Sequence, residues 1–165
     1  MLLKQLSFRN VLTSSLLVFT VICHAQDSTQ YSLRKKLVIG SNTIAYSALI
    51  IGLNNLWYKD YPTSAFHFHN DNKEWLQMDK VGHAFSCYNE GVAGIEMMKW
   101  AGYTQKQYSI IGGSYGFFIQ SSVEVLDGFS AEWGASTGDV MANAIGAGLA
   151  ISQSLGWDEQ RIRLK

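Results

Sequence analysis

Asp79-Lys80-Val81-Gly82-His83 opens a stretch that continues to Ala101 and places ionisable side chains among apolar residues and glycines. At helical steps of three and four residues, one stripe carries Asp79, His83, Ser86 or Cys87, and Glu90. This spacing predicts a helix from about Glu74 to Ala101 that is polar along its middle and stops at Gly102. Because ionisable groups are costly in apolar surroundings unless they are paired, we expect the stripe to face partners from other helices.

Further helices are predicted on both sides of this stretch. The uncharged residues from Leu37 to Tyr58 predict a first helix. A third helix is predicted from about Lys106 to Leu126 and is expected to end where Gly128 supplies a left-handed cap. The fourth is expected to follow Ser136, whose hydroxyl can cap free amides, and to continue to about Leu155. Asp139 then lies at the positive end of the dipole of that helix.

Small residues recur at a spacing of four in the last two helices, at Gly112 and Gly116 and at Ala142, Gly146 and Ala150. Such spacing lets helix backbones approach closely, in membranes and in tight soluble bundles alike. Strand-like alternation is absent from the sequence. The predicted fold is therefore all-α, a compact bundle of about four Gly/Ala-rich helices that is membrane-associated or membrane-embedded.

The first 25 residues resemble a secretory signal, because Lys4 and Arg9 precede an uncharged run that ends in small residues at Cys23 and Ala25. We expect cleavage after Ala25, an exported chain on the periplasmic side of the bacterial envelope, and one helical domain over residues 26–165. An uncleaved membrane anchor is one alternative. A lipidated Cys23 is another, although residues 20–22 lack the small residue that such a cut requires.

Charge and cysteine content exclude other classes of protein. Of the 13 basic residues, Lys4 and Arg9 precede the cut, so 11 remain beside 13 acidic ones, and no net positive charge attracts nucleic acid. Only Cys87 remains after cleavage, so no intrachain disulfide can form. Stability must come from packing. The expected partners are membrane lipid or another envelope protein.

Three ordered blocks carry a resemblance to a known family. They are Asp79-Lys80-x-Gly82-His83, Glu124-x-x-Asp127-Gly128-x-Ser130, and Gly134-x-Ser136-x-x-Asp139-x-x-x-Asn143-x-x-Gly146. In this combination the chain resembles the predicted periplasmic lipoprotein family of unknown function, over about residues 35–155. It is more distantly similar to VanZ-like proteins, which are membrane helical bundles. Neither resemblance implies an established reaction.

The same blocks supply the expected polar cluster, whose members are Asp79, Lys80, His83, Glu124, Asp127, Asp139 and Asn143. On a helix the Asp79 carboxylate can orient the His83 imidazole and raise its basicity. If the cluster is catalytic, the candidate residues are Asp79, His83, Glu124 and Asp139. If it binds a metal ion, the candidate ligands are His83, Glu124, Asp127 and Asp139. The alternative is a buried network that only fixes helix register and needs no cofactor.

Other polar residues are assigned structural roles. His67 and His69 stand beside Asp71 and can clamp a metal ion in an extended loop, but aromatic packing is the favoured interpretation. Lys80 is expected to neutralise Asp79 or Glu124. Cys87 is interpreted as a small core residue, and Ser130 and Ser136 as caps, since no nucleophile motif surrounds them.

Two functions are consistent with this sequence. The leading hypothesis is a non-enzymatic, membrane-associated envelope bundle held in register by its polar cluster. The alternative is an envelope enzyme or a lipid-headgroup-binding protein that uses the His/Asp/Glu cluster. A scaffold buries every group in pairs, whereas an enzyme or a binding protein needs an open pocket. The uncharged stretches 107–123 and 140–157 are at the lower limit for spanning, so we expect a bundle pressed against a membrane, with a four-span protein as the alternative.

Overall fold

The computed structural model describes residues 30–164, which form four main helices with two ordered connections at one end. The helices are α1 (Gln30–Tyr58), α2 (Met78–Trp100), α3 (Tyr115–Gly128) and α4 (Thr137–Trp157). The all-α fold predicted from the sequence is confirmed. The predicted signal segment and the cut after Ala25 lie outside the described residues.

Successive helices run in opposite directions around α2, which packs against both α3 and α4. At one end of the bundle, Tyr58 of α1 donates its hydroxyl proton to Asp127 of α3. At the other end, Arg34 at the start of α1 donates to the carbonyl oxygen of Trp100, the last residue of α2. We call the end that contains Tyr58, Met78, Gly128 and Thr137 the pocket end.

Glycine allows backbone contact between α2 and the segment that precedes α3. A Cβ atom at Gly91 would lie 2.6 Å from the carbonyl oxygen of Gly113, and one at Gly112 would lie 2.7 Å from that of Gly94. Any side chain at these positions would force the helices apart. Ala142 and Ala150 are also buried, and the backbone of Ala84 lies against Gly146. The close packing predicted from the small residues is therefore confirmed.

The two middle helices differ from their predicted extents. The second begins at Met78 rather than Glu74, because Leu76 and Gln77 have left-handed φ values of 51° and 60°. The third is not continuous. Thr104 and Gln107 form a capping box at its start, and a helical turn at Gln105–Gln107 and a π-helical segment at Tyr108–Gly112 precede α3.

The two glycines expected to end helices behave differently. Gly102 has a φ of 78° and ends α2, as predicted. Gly128 lies within α3 and is not left-handed, so the predicted cap there is wrong. Glycine is needed at this position for another reason, because the ring of Phe66 occupies the space that a Cβ atom would fill.

The two connections at the pocket end pair with each other. Strand β1 (Phe68–His69) runs parallel to strand β2 (Ala135–Ser136), and Thr63 forms a bridge with Ser130. The ring of Trp133 packs edge-on against Tyr58 and Tyr61. Residues 59–77 are therefore an ordered connection, and they cover part of the bundle end together with residues 129–136.

The interior changes character along the bundle. The apolar core includes Tyr88, Ile95, Met98, Tyr108 and Ala150. At the pocket end the buried residues are instead polar or charged, namely Glu124, Ser136, Asp139 and Asn143. The first group stabilises the fold by burial of apolar area, whereas the second requires hydrogen bonds and ion pairs.

Candidate functional site

His83 lies at the floor of an open cavity at the pocket end. Its Nδ1 atom is 3.1 Å from Oδ1 of Asn143 on α4. Its Nε2 atom is 3.5 Å from Oε1 of Glu124 on α3 and 3.7 Å from Oδ1 of Asp79, one turn earlier on α2. Both distances exceed that of a good hydrogen bond, so Nε2 makes no short hydrogen bond to either carboxylate.

Glu124 is the least exposed carboxylate that contacts the imidazole. It is 4% exposed, and its Oε2 atom accepts a hydrogen bond of 2.8 Å from the backbone N–H of Ser136. Burial raises the pKa of Glu124 to about 7, against the opposing influence of that hydrogen bond and of His83. Glu124 therefore changes its charge close to neutral pH, as an acid or base in a functional site does.

A second group of charges surrounds Lys80. Its ammonium pairs with Asp71 and lies 3.1 Å from Oδ1 of Asp139, which is 2% exposed. Ser136 joins the two acids, because its hydroxyl donates to Asp71 and accepts from the backbone N–H of Asp139. Burial alone would raise the pKa of Asp71, but the hydrogen bonds from Lys80 and Ser136 lower it to about 2. The expected neutralisation of Asp79 is present but looser, at 3.7 Å.

Asp127 and Asn143 border the imidazole from the neighbouring helices. Asp127 accepts a hydrogen bond of 2.7 Å from the hydroxyl of Tyr58, and burial raises the pKa of Asp127. Asn143 is fully buried, and its amide oxygen fixes the ring of His83. All seven predicted cluster members thus lie at the pocket end, but they form two groups, one around His83 and one around Lys80.

The metal-binding interpretation gains limited support from the geometry. Ligand atoms of Asp79, His83 and Asp139 lie within 4.8 Å of one another, whereas the proposed ligands Glu124 and Asp127 are not part of that group. The Lys80 ammonium is already close to both carboxylates, at 3.7 Å from Asp79 and 3.1 Å from Asp139. A metal ion here would have to displace an ammonium that is held by Asp71 as well.

The cavity above His83 has a volume of about 720 Å³, within the usual range for small-molecule sites. Its floor and its wall differ in chemistry. The floor contributes carboxylates and the imidazole, from Asp79, His83, Glu124, Asp127 and Asp139. The wall includes the apolar and aromatic residues Leu53, Trp57, Tyr58, Met78, Val123 and Trp133, and the rest of the lining is polar or glycine, from His69, Asp71, Glu74, Glu132, Gly134 and Ser136.

Sequence reasoning missed the role of Asp71 and of the aromatic wall. The sequence suggests Asp71 only as a neighbour of His67 and His69, and neither histidine pairs with it in the structure, although His69 also lines the cavity. Nε2 of His67 contacts the carbonyl oxygen of Trp133, and Nε2 of His69 contacts Glu74. The sequence does hold a signal for this role, because Asp71 is an acidic residue in the connection that leads into the Asp79-Lys80 block.

The structural roles assigned to three small polar residues are confirmed. Ser130 and Ser136 accept hydrogen bonds from the backbone N–H groups of Glu132 and Asp139, so both act as caps. Cys87 is fully buried, and its thiol donates to the carbonyl oxygen of Asn143. None of the three is placed as a nucleophile in the cavity.

Comparison with known proteins gives one match. No curated protein and no solved structure matches the chain. The model of a family described as predicted periplasmic lipoprotein (DUF2279) matches residues 67–154, more than half of the chain, and this range contains every member of both charged groups. The more distant similarity to VanZ-like proteins stays a prediction. The chain is an envelope protein of the periplasmic side, and it belongs to the DUF2279 family of predicted periplasmic lipoproteins.

Proposed function

We propose that the protein binds the headgroup of a membrane amphiphile in the cavity at its pocket end, and that this headgroup carries an ammonium group. The observation that supports the proposal is the combination of an acidic floor and an apolar, aromatic wall in one open cavity. The floor is suited to a cationic headgroup, and the wall is suited to the first carbons of the attached chains.

The floor has more negative than positive charge available to a ligand. Lys80 is held by Asp71 and Asp139, so it does not neutralise Glu124 or Asp127. Neither Lys nor Arg lines the cavity in the part of the chain that the structure describes. An ammonium group that enters would therefore be attracted by Asp79, Glu124 and Asp127, whereas an anionic headgroup would be repelled.

The aromatic wall favours the same ligand. The rings of Trp57 and Trp133 lie 6.1 Å apart, and Tyr58 stands edge-on to Trp133 at 5.6 Å. Ring faces attract cations, and the attraction grows when water is excluded. Trp57 is 58% exposed, so it can contact both a ligand in the cavity and the surrounding medium.

The scaffold hypothesis accounts for only part of the cluster. The group around Lys80 is buried and paired, as a device that fixes helix register should be. The group around His83 lines the cavity, its member Asp79 is 47% exposed, and its contacts of 3.5 and 3.7 Å are too long for good hydrogen bonds. A binding protein of this kind need not be an enzyme, so the non-enzymatic expectation stays a prediction.

A second candidate function is acid–base catalysis by His83 and Glu124. It is favoured by their 3.5 Å separation at the floor of the cavity and is supported by the raised pKa of Glu124. A ligand hydroxyl or a water molecule that contacts both residues from the cavity could give a proton to one residue and receive one from the other. Turnover of a bound ligand would distinguish this function from binding alone.

Headgroup binding can be tested with short-chain lipids that share the same acyl chains. The full-length protein in detergent is titrated with dihexanoyl phosphatidylethanolamine and with the phosphatidylglycerol analogue, and tryptophan fluorescence and calorimetry report binding. We expect the ethanolamine lipid to bind at least about tenfold more tightly. Equal affinity for the two lipids would refute the proposal.

Matched variants test whether the lipid is bound by the carboxylates of the cavity or by the negative charge of this end in general. Glu124→Gln and Asp79→Asn should each weaken binding of the ethanolamine lipid, whereas Asp60→Asn should not. Asp60 lies in a connection at the same end but outside the cavity lining.

Elemental analysis of the purified protein tests the metal alternative, since a stoichiometric metal ion that is lost in His83→Ala would contradict the proposal. Release of the headgroup by the native protein but not by Glu124→Gln would establish the catalytic function.

A further inference from the structure

We propose that the bundle is embedded in a lipid bilayer through a charge-free belt that surrounds all four helices. The belt consists of the outward-facing residues in the segments 37–58, 81–95, 107–123 and 140–157. This inference is independent of the proposed ligand, because it rests on the sides of the bundle and not on the cavity at its end.

Large apolar side chains are exposed along the belt. Ile44 of α1 is 72% exposed, Phe118 of α3 is 65% exposed, and Ile145 of α4 is 65% exposed. Val81 and Phe85 extend the belt onto α2. So many exposed large apolar side chains in water would be an aggregation liability, and an apolar partner would remove it.

The same surface carries no charge. The segments 37–58, 107–123 and 140–157 contain no Asp, Glu, Lys or Arg. The segment 81–95 contains His83 and Glu90, and both face inwards. His83 contacts Glu124 and Asn143, and Glu90 accepts a hydrogen bond of 2.8 Å from Gln120 on α3. An ordinary soluble bundle carries charged residues on its outward faces, and this one does not.

Charge is concentrated at the two ends instead. Among residues 30–164, the end opposite the pocket end has seven basic residues against three acidic ones, and we call it the basic end. The basic residues are Arg34, Lys35, Lys36, Lys99, Lys106, Arg161 and Arg163, and the acidic ones are Glu96, Asp158 and Glu159. The pocket end has eight acidic residues, which are Asp60, Asp71, Glu74, Asp79, Glu124, Asp127, Glu132 and Asp139, against Lys59, Lys73 and Lys80.

Aromatic rings accompany the charges at the basic end. Arg34 lies over the rings of Tyr31 and Trp100, Lys35 over Tyr103, and Arg161 over Trp157. Paired aromatic and basic side chains are characteristic of the boundary between hydrocarbon and headgroups. The basic end is therefore suited to a surface of anionic lipid phosphates.

The length of the belt matches a bilayer. The 18 residues of segment 140–157 rise by about 27 Å at 1.5 Å per residue, close to a hydrocarbon core of about 30 Å. Among the described helices, α1 is long and apolar enough to cross by itself, and Val38 is its one buried residue. The other helices cross as members of the bundle.

A bilayer explains the belt better than a second copy of the chain. A dimer interface covers one side of a bundle, whereas the exposed apolar residues lie on α1, α2, α3 and α4 alike. Lipid chains cover every side at once. A lipid on Cys23 would tether the chain to a membrane, but it would not cover these faces.

Spin labels on single cysteines distinguish the three surroundings. Labels are placed at Ile44, Phe118 and Ile145 in full-length protein carrying Cys23→Ser, reconstituted in vesicles of phosphatidylethanolamine and phosphatidylglycerol. Reference labels are placed at Glu132 and Lys106, which are exposed at the two ends. The unlabelled Cys23→Ser protein measures any background from the buried Cys87, and circular dichroism verifies the fold of each variant.

Collision rates with oxygen and with a water-soluble nickel chelate give the result. We expect all three belt labels to collide with oxygen at least about fivefold more often than with the chelate, because oxygen concentrates in hydrocarbon. The reference labels should show the reverse. Collision of the belt labels with the chelate would refute embedding. Protection of the labels on one helix from both reagents would instead indicate a protein interface and would equally overturn the proposal.

Discussion

Nε2 of His83 and Oε1 of Glu124 lie 3.5 Å apart across the interface of α2 and α3, at the floor of an open cavity. The gap is slightly too long for a good direct hydrogen bond. It is held open by other contacts, since Asn143 fixes the far side of the imidazole and the backbone of Ser136 fixes the other oxygen of Glu124. Both side chains line the cavity, so a ligand or a water molecule there can contact them.

Glu124 should make stability depend on pH. Its usual pKa is about 4.5 and its pKa in the folded protein is about 7, so the folded state holds the proton over a range in which the unfolded state releases it. Stability therefore falls as the pH rises from about 4.5 to above 7, by roughly 3 kcal/mol from this residue. Denaturant unfolding of native protein and Glu124→Gln across this range should give a flatter profile for the variant. Parallel profiles would show that Glu124 is already ionised at low pH.

Asp139 and Asp79 should differ in their importance for stability. The Asp139 side chain is 3% exposed and holds Lys80, so Asp139→Ala leaves a buried cation short of a partner and should cost roughly 3 kcal/mol. The Asp79 side chain is 47% exposed, so Asp79→Ala should cost less than about 1 kcal/mol, although the sequence alone predicts similar losses. Thermal melting of the two variants tests this ranking, and equal losses would contradict it.

Close packing of the backbones makes particular glycines irreplaceable. Gly91→Ala places a methyl group 2.6 Å from the carbonyl oxygen of Gly113 and should destabilise the fold by about 1–3 kcal/mol. Gly148→Ala is the matched control, because nothing lies within 4 Å of its Cβ position on α4. That variant should be neutral or more stable by up to about 1 kcal/mol, since alanine favours helices. A stable Gly91→Ala protein would mean that the two backbones are further apart than described.

N-terminal processing remains a prediction from the sequence. Small residues at Cys23 and Ala25 favour cleavage after Ala25, and Ile22 is unsuitable for a lipoprotein cut. Mass spectrometry of the exported protein should therefore find Gln26 at its N-terminus. A terminal Cys23 that carries acyl chains would show that the chain is processed as a lipoprotein, in agreement with the description of its family.

Much of the fold follows from local features of the sequence. The apolar segments, Gly102, and the Ser136 cap with Asp139 in the following turn predict where helices begin and end, because these effects act within one or two turns. The same local reasoning failed at Gly128, where a ring from Phe66, 62 residues away in sequence, determines the need for glycine. It also missed the π-helical segment at Tyr108–Gly112.

The sequence by itself determined that the ionisable side chains of the three blocks must contact one another, because burying any of them unpaired in apolar surroundings costs too much free energy. Only the tertiary structure decided how they are divided. The connection that carries Asp71 folds back onto Ser136 and pairs with Lys80, which leaves His83, Glu124 and Asp79 as a separate group in the cavity lining. Spacing along one helix does not specify which of several carboxylates reaches a given ammonium. That choice depends on how the two connections pair across the end of the bundle.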